Sequence, residues 1–221
     1  MDESNNEYHF QGADLAIESA KALFKVAGKS SEIGEYGIAR SLYILAGEEA
    51  VKSFTIASQV AKESNERSEG WDKVFKDHKT KHDGLKMATF LMNFSTKTFD
   101  EHYRKMTKAG IPMNIIEKTL NSNPLTRDEL RWYKKMKLHP ITMEEATSWW
   151  DAANLEKNKG FYVDERKGAW WNPRSVTREQ AKQGEKYAGF IIEFIAKVIT
   201  DLRSPEVAQL LKDNPMPPDM Q

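Results

Sequence analysis

The sequence predicts an all-α protein, an up-and-down helical bundle with additional C-terminal helices and one small β-hairpin. Three observations predict it. Apolar residues recur every three or four positions through most of the 221 residues, the spacing of helices that bury one face. Glycine, proline and asparagine gather in a few breaks between those stretches, and strand-prone residues flanking a charged turn occur only at 161–171. A single domain over residues 13–204 follows, with a mobile N-terminus at 1–12 and a short helix and mobile tail at 205–221.

Composition narrows the function. Lys and Arg together number 33, as do Asp and Glu, so no overall field marks a nucleic-acid or membrane binder. A local basic cluster from Lys73 to Lys86 is still compatible with that neutrality. The absence of cysteine removes disulfides, thiolate nucleophiles and cysteine-based metal centres. The opening residues MDESNNEYHFQG are polar and no apolar run reaches a membrane span, so a soluble, cytoplasmic protein is expected.

In chain order, Ala13 to Ala27 carries Leu15, Ala16, Ala20, Leu23, Phe24 and Ala27 at helical spacing, closed by Gly28. Tyr36 to Val60 is a long helix apolar on two faces, and therefore central to its bundle. Polar residues from Lys62 to Gly70 form a loop, and Trp71 opens a helix reaching about Lys108. Gly110, Pro112 and Asn121 to Pro124 interrupt the pattern around a short helix from Met113 to Leu120. Thr126 is placed to cap a helix over Arg127 to Leu138, and Thr142 with Glu145 has capping-box spacing for a helix from Met143 to about Lys157, stopped near Gly160. The hairpin at Phe161 to Trp171 follows. Thr177 with Gln180 then opens a last long helix whose stripe is Tyr187, Ile191, Phe194, Ile195, Val198 and Leu202.

Candidate chemistry comes from charges that interrupt apolar stripes. Glu49 and Lys52 lie on the line of Ile38, Leu42, Leu45, Ile56 and Val60; His78 and His82, with Lys81 at the edge, share the stripe of Trp71, Phe75, Leu85, Thr89 and Met92. An unpaired buried charge costs several kcal/mol, so each needs a partner. If the two stripes meet, Glu48, Glu49 and Lys52 converge with Lys76, Asp77, His78, Lys79, Lys81 and His82. An imidazole would then act as general base and acid while lysines hold an anion, which suits attack of a ribose 2′-hydroxyl on its own phosphodiester without a metal or other cofactor. A second reading makes His78 and His82, four residues apart, a metal pair completed by Glu49 or Asp77, against which the surrounding lysines argue. A third pairs Glu49 with Lys52 along their own helix and leaves the histidines as hydrogen-bonded core residues beside a solvated lysine face.

SLYILAGEEAVKS at Ser41 to Ser53, FKDHKTK at Phe75 to Lys81, and GFYVDERKGAWWNPRSVTREQA at Gly160 to Ala181 resemble, in that order, blocks of the AbiV family of bacterial abortive infection proteins in the HEPN superfamily. The resemblance implies a HEPN-like helical bundle that forms a homodimer, and phage defence by arresting growth of the infected cell. It also implies a metal-independent endoribonuclease with RNA as substrate, in a cleft where two protomers meet. By position, Glu48, Glu49 and Lys52 match the first block and Lys76, Asp77, His78 and Lys81 the second. The HEPN signature of an arginine, a polar residue and a later histidine is met by Lys76, Asp77 and His82. Lysine there offers a point charge in place of a planar fork, and the family block puts its histidine at His78. The competing expectation is a non-catalytic binding protein that sequesters a translation component or a phage-encoded trigger, with the hairpin as its contact.

Overall fold

A computed structural model describes residues 3–61, 75–122, 127, 130–131, 133–135, 141, 143–166, 168–204 and 207. The described residues are predominantly helical: α1 (Glu3–Glu32), α2 (Tyr36–Ala57) with a 3-10 turn at Ser58–Ala61, α3 (His78–Lys108), α4 (Met113–Ser122), α5 (Met143–Phe161) and α6 (Arg178–Leu202). Between α5 and α6 lie the antiparallel strands β1 (Asp164–Arg166) and β2 (Ala169–Trp171), with Glu165 opposite Trp170. The expected all-α architecture with one small hairpin is the observed one. The polar segment 62–70, Trp71, the caps at Thr126 and Thr142 and most of the tail fall outside the described residues.

Where a single domain over 13–204 was expected, the chain divides into two compact units, residues 1–88 with 148–221 and residues 89–147. In the first, α1 and α2 run antiparallel. Phe24 meets Tyr43 with ring centroids 5.0 Å apart, and Ser53 donates from Oγ to the Ala13 carbonyl at 2.6 Å. Buried alanines at 13, 20, 27 and 39 let the helices approach closely. Helix α6 packs on both: Tyr43, Ala181 and Ala188 share one core cluster with Ala27 and Ala39, and Arg203 reaches back to Asp14 at 2.6 Å.

The termini of α1 differ from the expectation. In place of a mobile stretch at 1–12, the helix begins at Glu3, because Phe10 is buried beneath the Arg203 guanidinium, 4.8 Å from its ring centroid. Nor does Gly28 end it. Gly34 does, at φ +85°, with Glu35 N–H donating to Ser30 O at 2.9 Å and Gly34 N–H to Ser31 O at 3.1 Å, the paired bonds of a Schellman ending. The Thr177 and Gln180 capping box forms as read, each side chain bonded to the other's backbone.

Helix α5 crosses α2 at close range. A Cβ on Gly160 would overlap the Gly37 carbonyl and the Ser41 hydroxyl, so two glycines permit near backbone contact at this point. Helix α5 ends at Phe161, near Gly160 as expected. Ser41 Oγ donates to the Lys157 carbonyl at 2.7 Å, Arg40 pairs with Glu156 at 2.6 Å, and the fully buried Trp150 lies against Gly47. In the second unit, Ile116, Leu120 and Leu130 form a core with Phe99, Tyr103, Met106 and Tyr133.

Candidate functional site

Three helices of the first unit converge on one carboxylate. Glu48 lies on α2 about 140° around the axis from Tyr43, on the face turned away from α1, and is 1 % exposed. Helix α3 reaches it because Gly84 packs on Val51 and Leu85 on Gly47, where larger residues would hold the helices apart. Asp77 starts α3: its Oδ2 accepts from Thr80 Oγ1 at 2.7 Å and Thr80 N–H at 3.2 Å, an N-cap bond that fixes the first turn. His78 follows at once and His82 lies four residues on, so both imidazoles project from the same face.

The contacts are short. His78 Nδ1 is 2.7 Å from Glu48 Oε2, His82 Nε2 is 3.0 Å from Oε1, and Lys157 of α5 donates from Nζ to Oε1 at 2.8 Å. Lys157 Nζ is also 2.9 Å from His78 Nδ1, and Lys81 Nζ stands 3.9 Å from Oε2. Burial by itself would raise the Glu48 pKa, but hydrogen bonds from His82 and Lys157, with the charges of Lys157 and His78, outweigh it and lower the value to about 2. Glu48 is therefore ionised at neutral pH and can only accept hydrogen bonds. Nε2–H of His82 donates to it, while Nδ1 of His78 stands between an acceptor, Glu48 at 2.7 Å, and a donor, the Lys157 ammonium at 2.9 Å, and its Nδ1–H form is the one that serves the shorter contact. That leaves Nε2 of His78 as the basic nitrogen of its neutral form, on a side chain 46 % exposed, whereas the His82 side chain is only 8 % exposed.

The arrangement joins one carboxylate to two ammonium groups, Lys157 and Lys81. It therefore carries an excess of positive charge in a protein of zero net charge, and an anion is favoured next to it. A divalent cation is not. The Lys157 ammonium already contacts both Glu48 and His78, and among the described residues no group of three His, Asp or Glu side chains is placed to hold a metal.

The other residues singled out in the sequence are distributed as follows. Glu49 and Lys52 pair with each other at 2.7 Å, the alternative in which neither reaches an imidazole, and Lys52 Nζ lies 5.9 Å from the Phe75 ring centroid. Lys76 is exposed, Asp77 caps its helix and Lys81 is buried, while the Lys79 side chain is outside the described residues. Of the two glutamates the sequence placed in the cluster, it is Glu48, off the α2 stripe, that holds both imidazoles, while Glu49 on the stripe does not. Lys157 was missed. Its signal was available, since it interrupts the buried α5 stripe of Trp150, Ala153 and Gly160, the same irregularity that drew attention to α2 and α3.

A HEPN family model described as AbiV matches residues 9–193, and the chain belongs to that abortive-infection family. No curated protein and no solved structure matches it. No helix of the described residues is long and apolar enough to cross a membrane.

Proposed function

We propose that this chain is a cytoplasmic, metal-independent endoribonuclease of phage defence, acting as a homodimer, with His78 as its acid and base. The observation that supports the reading is the anchoring of the His78 Nδ1–H by buried, ionised Glu48 at 2.7 Å, which turns Nε2 toward solvent. In this reading Nε2 takes the proton of a ribose 2′-hydroxyl. The 2′-oxygen bonds to phosphorus and the bond to the 5′-oxygen breaks, giving a 2′,3′-cyclic phosphate and a 5′-hydroxyl that receives the proton. Glu48 is a positioning residue that sets the tautomer and stabilises the imidazolium. Lys157, with Lys81 behind it, supplies positive charge beside the phosphate, and exposed Lys76 contributes from the rim. His82, enclosed by protein, holds Glu48 in place and does not touch substrate.

The test is incubation of purified protein with total RNA in EDTA, followed by end-group analysis. Cleavage leaving cyclic phosphates, lost by at least a hundredfold in His78→Ala and partly retained in His82→Asn, is expected. RNA left intact by the wild type, or cut equally well by His78→Ala, would contradict the proposal.

A second reading, binding without cleavage, draws on the hairpin. Trp170 on the hairpin is 76 % exposed, and Tyr162 and Val163, just before its first strand, are exposed too, chemistry suited to a protein partner such as a phage-encoded trigger. Growth arrest that survives His78→Ala but is lost with Trp170→Ala would favour it.

A further inference from the structure

Helix α1 buries one face and leaves another bare. Tyr8, Leu15, Ser19, Ala22 and Val26, with Ile33 directly past its end, fall within about 60° of one another at 100° per residue, and all six are exposed, Leu15 at 64 % and Ile33 at 78 %. The stripe is about 38 Å long at 1.5 Å per residue. It faces away from α2 and α6, which take Phe10, Ala13, Ala20, Phe24 and Ala27.

Its order is symmetric. Tyr8 and Ile33, Leu15 and Val26, Ser19 and Ala22 are placed equally far on either side of the midpoint between Ala20 and Lys21. Two copies laid antiparallel therefore match large residue to large residue at the ends and small to small in the middle, which is the condition for an isologous two-fold contact. Charge selects the same direction. On one flank of the stripe, exposed Glu18 precedes exposed Lys25. Antiparallel pairing keeps this flank opposite itself and sets Glu18 near Lys25 of the other copy, twice, whereas parallel pairing carries the two copies of the flank to opposite sides of the contact and forms neither pair.

We propose that α1 is a self-association surface, on which a second copy of this chain docks α1 against α1 in antiparallel register. This contact goes beyond the nuclease reading and does not depend on it. Tyr43 and Ser53 of α2 face α1, whereas Glu48 lies on the opposite side of α2. Two chains joined through α1 accordingly keep both Glu48 clusters open. If a cleft is also built between protomers at His78, the protein has two separate contacts for its own kind.

The absence of cysteine makes the register directly testable. A disulfide spans Cα atoms about 4.4–6.8 Å apart. In the proposed register residue 15 of one copy faces residue 26 of the other, while the two copies of residue 15 are about 16 Å apart along the axis. The double variant Leu15→Cys, Val26→Cys should form a covalent dimer under mild oxidation, and Leu15→Cys or Val26→Cys alone should form none. Both positions are exposed, so the fold tolerates the change, and circular dichroism of the double variant should match the wild type. Covalent dimer from either single variant would overturn the antiparallel register, and none from the double variant would overturn the contact. RNA cleavage measured in parallel reads the His78 proposal separately.

Discussion

Glu48 and Glu49 are neighbours on one helix and have opposite fates. Glu48 points between α3 and α5, is almost fully enclosed, and is held by groups from two other helices. Glu49, about 100° further round, ends beside Lys52 in a pair whose side chains are 23 % and 20 % exposed. The first carboxylate organises tertiary structure and the second answers a local charge. A buried carboxylate is tolerated only with several donors, so the one that attracts partners from distant parts of the chain is the one fitted to orient a histidine.

The sharpest way to break this contrast is Glu48→Ala. It leaves the buried Lys157 ammonium without its carboxylate and should cost about 3–5 kcal/mol in denaturant unfolding, whereas Glu49→Ala should cost about 0.2–1 kcal/mol. Gly160→Ala comes next. Its methyl would force α5 away from Gly37 and Ser41, withdrawing Lys157 from Glu48 without touching the Glu49 pair. A loss of about 1–3 kcal/mol is expected, together with reduced RNA cleavage.

Acid should report on Glu48 as well. A carboxyl whose pKa is lowered in the folded state, here from 4.5 to about 2, contributes stability that is fully present above the unfolded value. That contribution is lost as the pH falls through the folded value. Wild-type stability should fall between about pH 4.5 and 2 for this reason, and Glu48→Gln should show a shallower fall across the same range by urea titration. The smallest effect belongs to Glu49→Gln, which should change the unfolding free energy at neutral pH by no more than about 0.5 kcal/mol, because its partner Lys52 is partly in solvent.

Much of this was legible in the sequence. Helical periodicity gave the architecture, and local chemistry gave the Thr177 capping box and the hairpin, because such signals involve residues close in the chain. The errors occurred where distant residues decide. Gly28 was read as a helix end, yet α1 continues because its apolar stripe is covered by α2 and α6. Stripe analysis identified His78 and His82 but favoured Glu49 over Glu48, since a helix buried on two faces does not reveal which face another helix will supply with donors. Lys157 lies 109 residues from Glu48 and required the close crossing at Gly37 and Gly160 to arrive there.

The central claim is that Glu48 sets the tautomer of His78. Long-range proton–nitrogen correlation spectra of the neutral His78 ring test it most directly. The account predicts the Nδ1–H form in the wild type and loss of that preference in Glu48→Ala. An Nε2–H ring in the wild type would contradict it, because no basic nitrogen would then face the solvent.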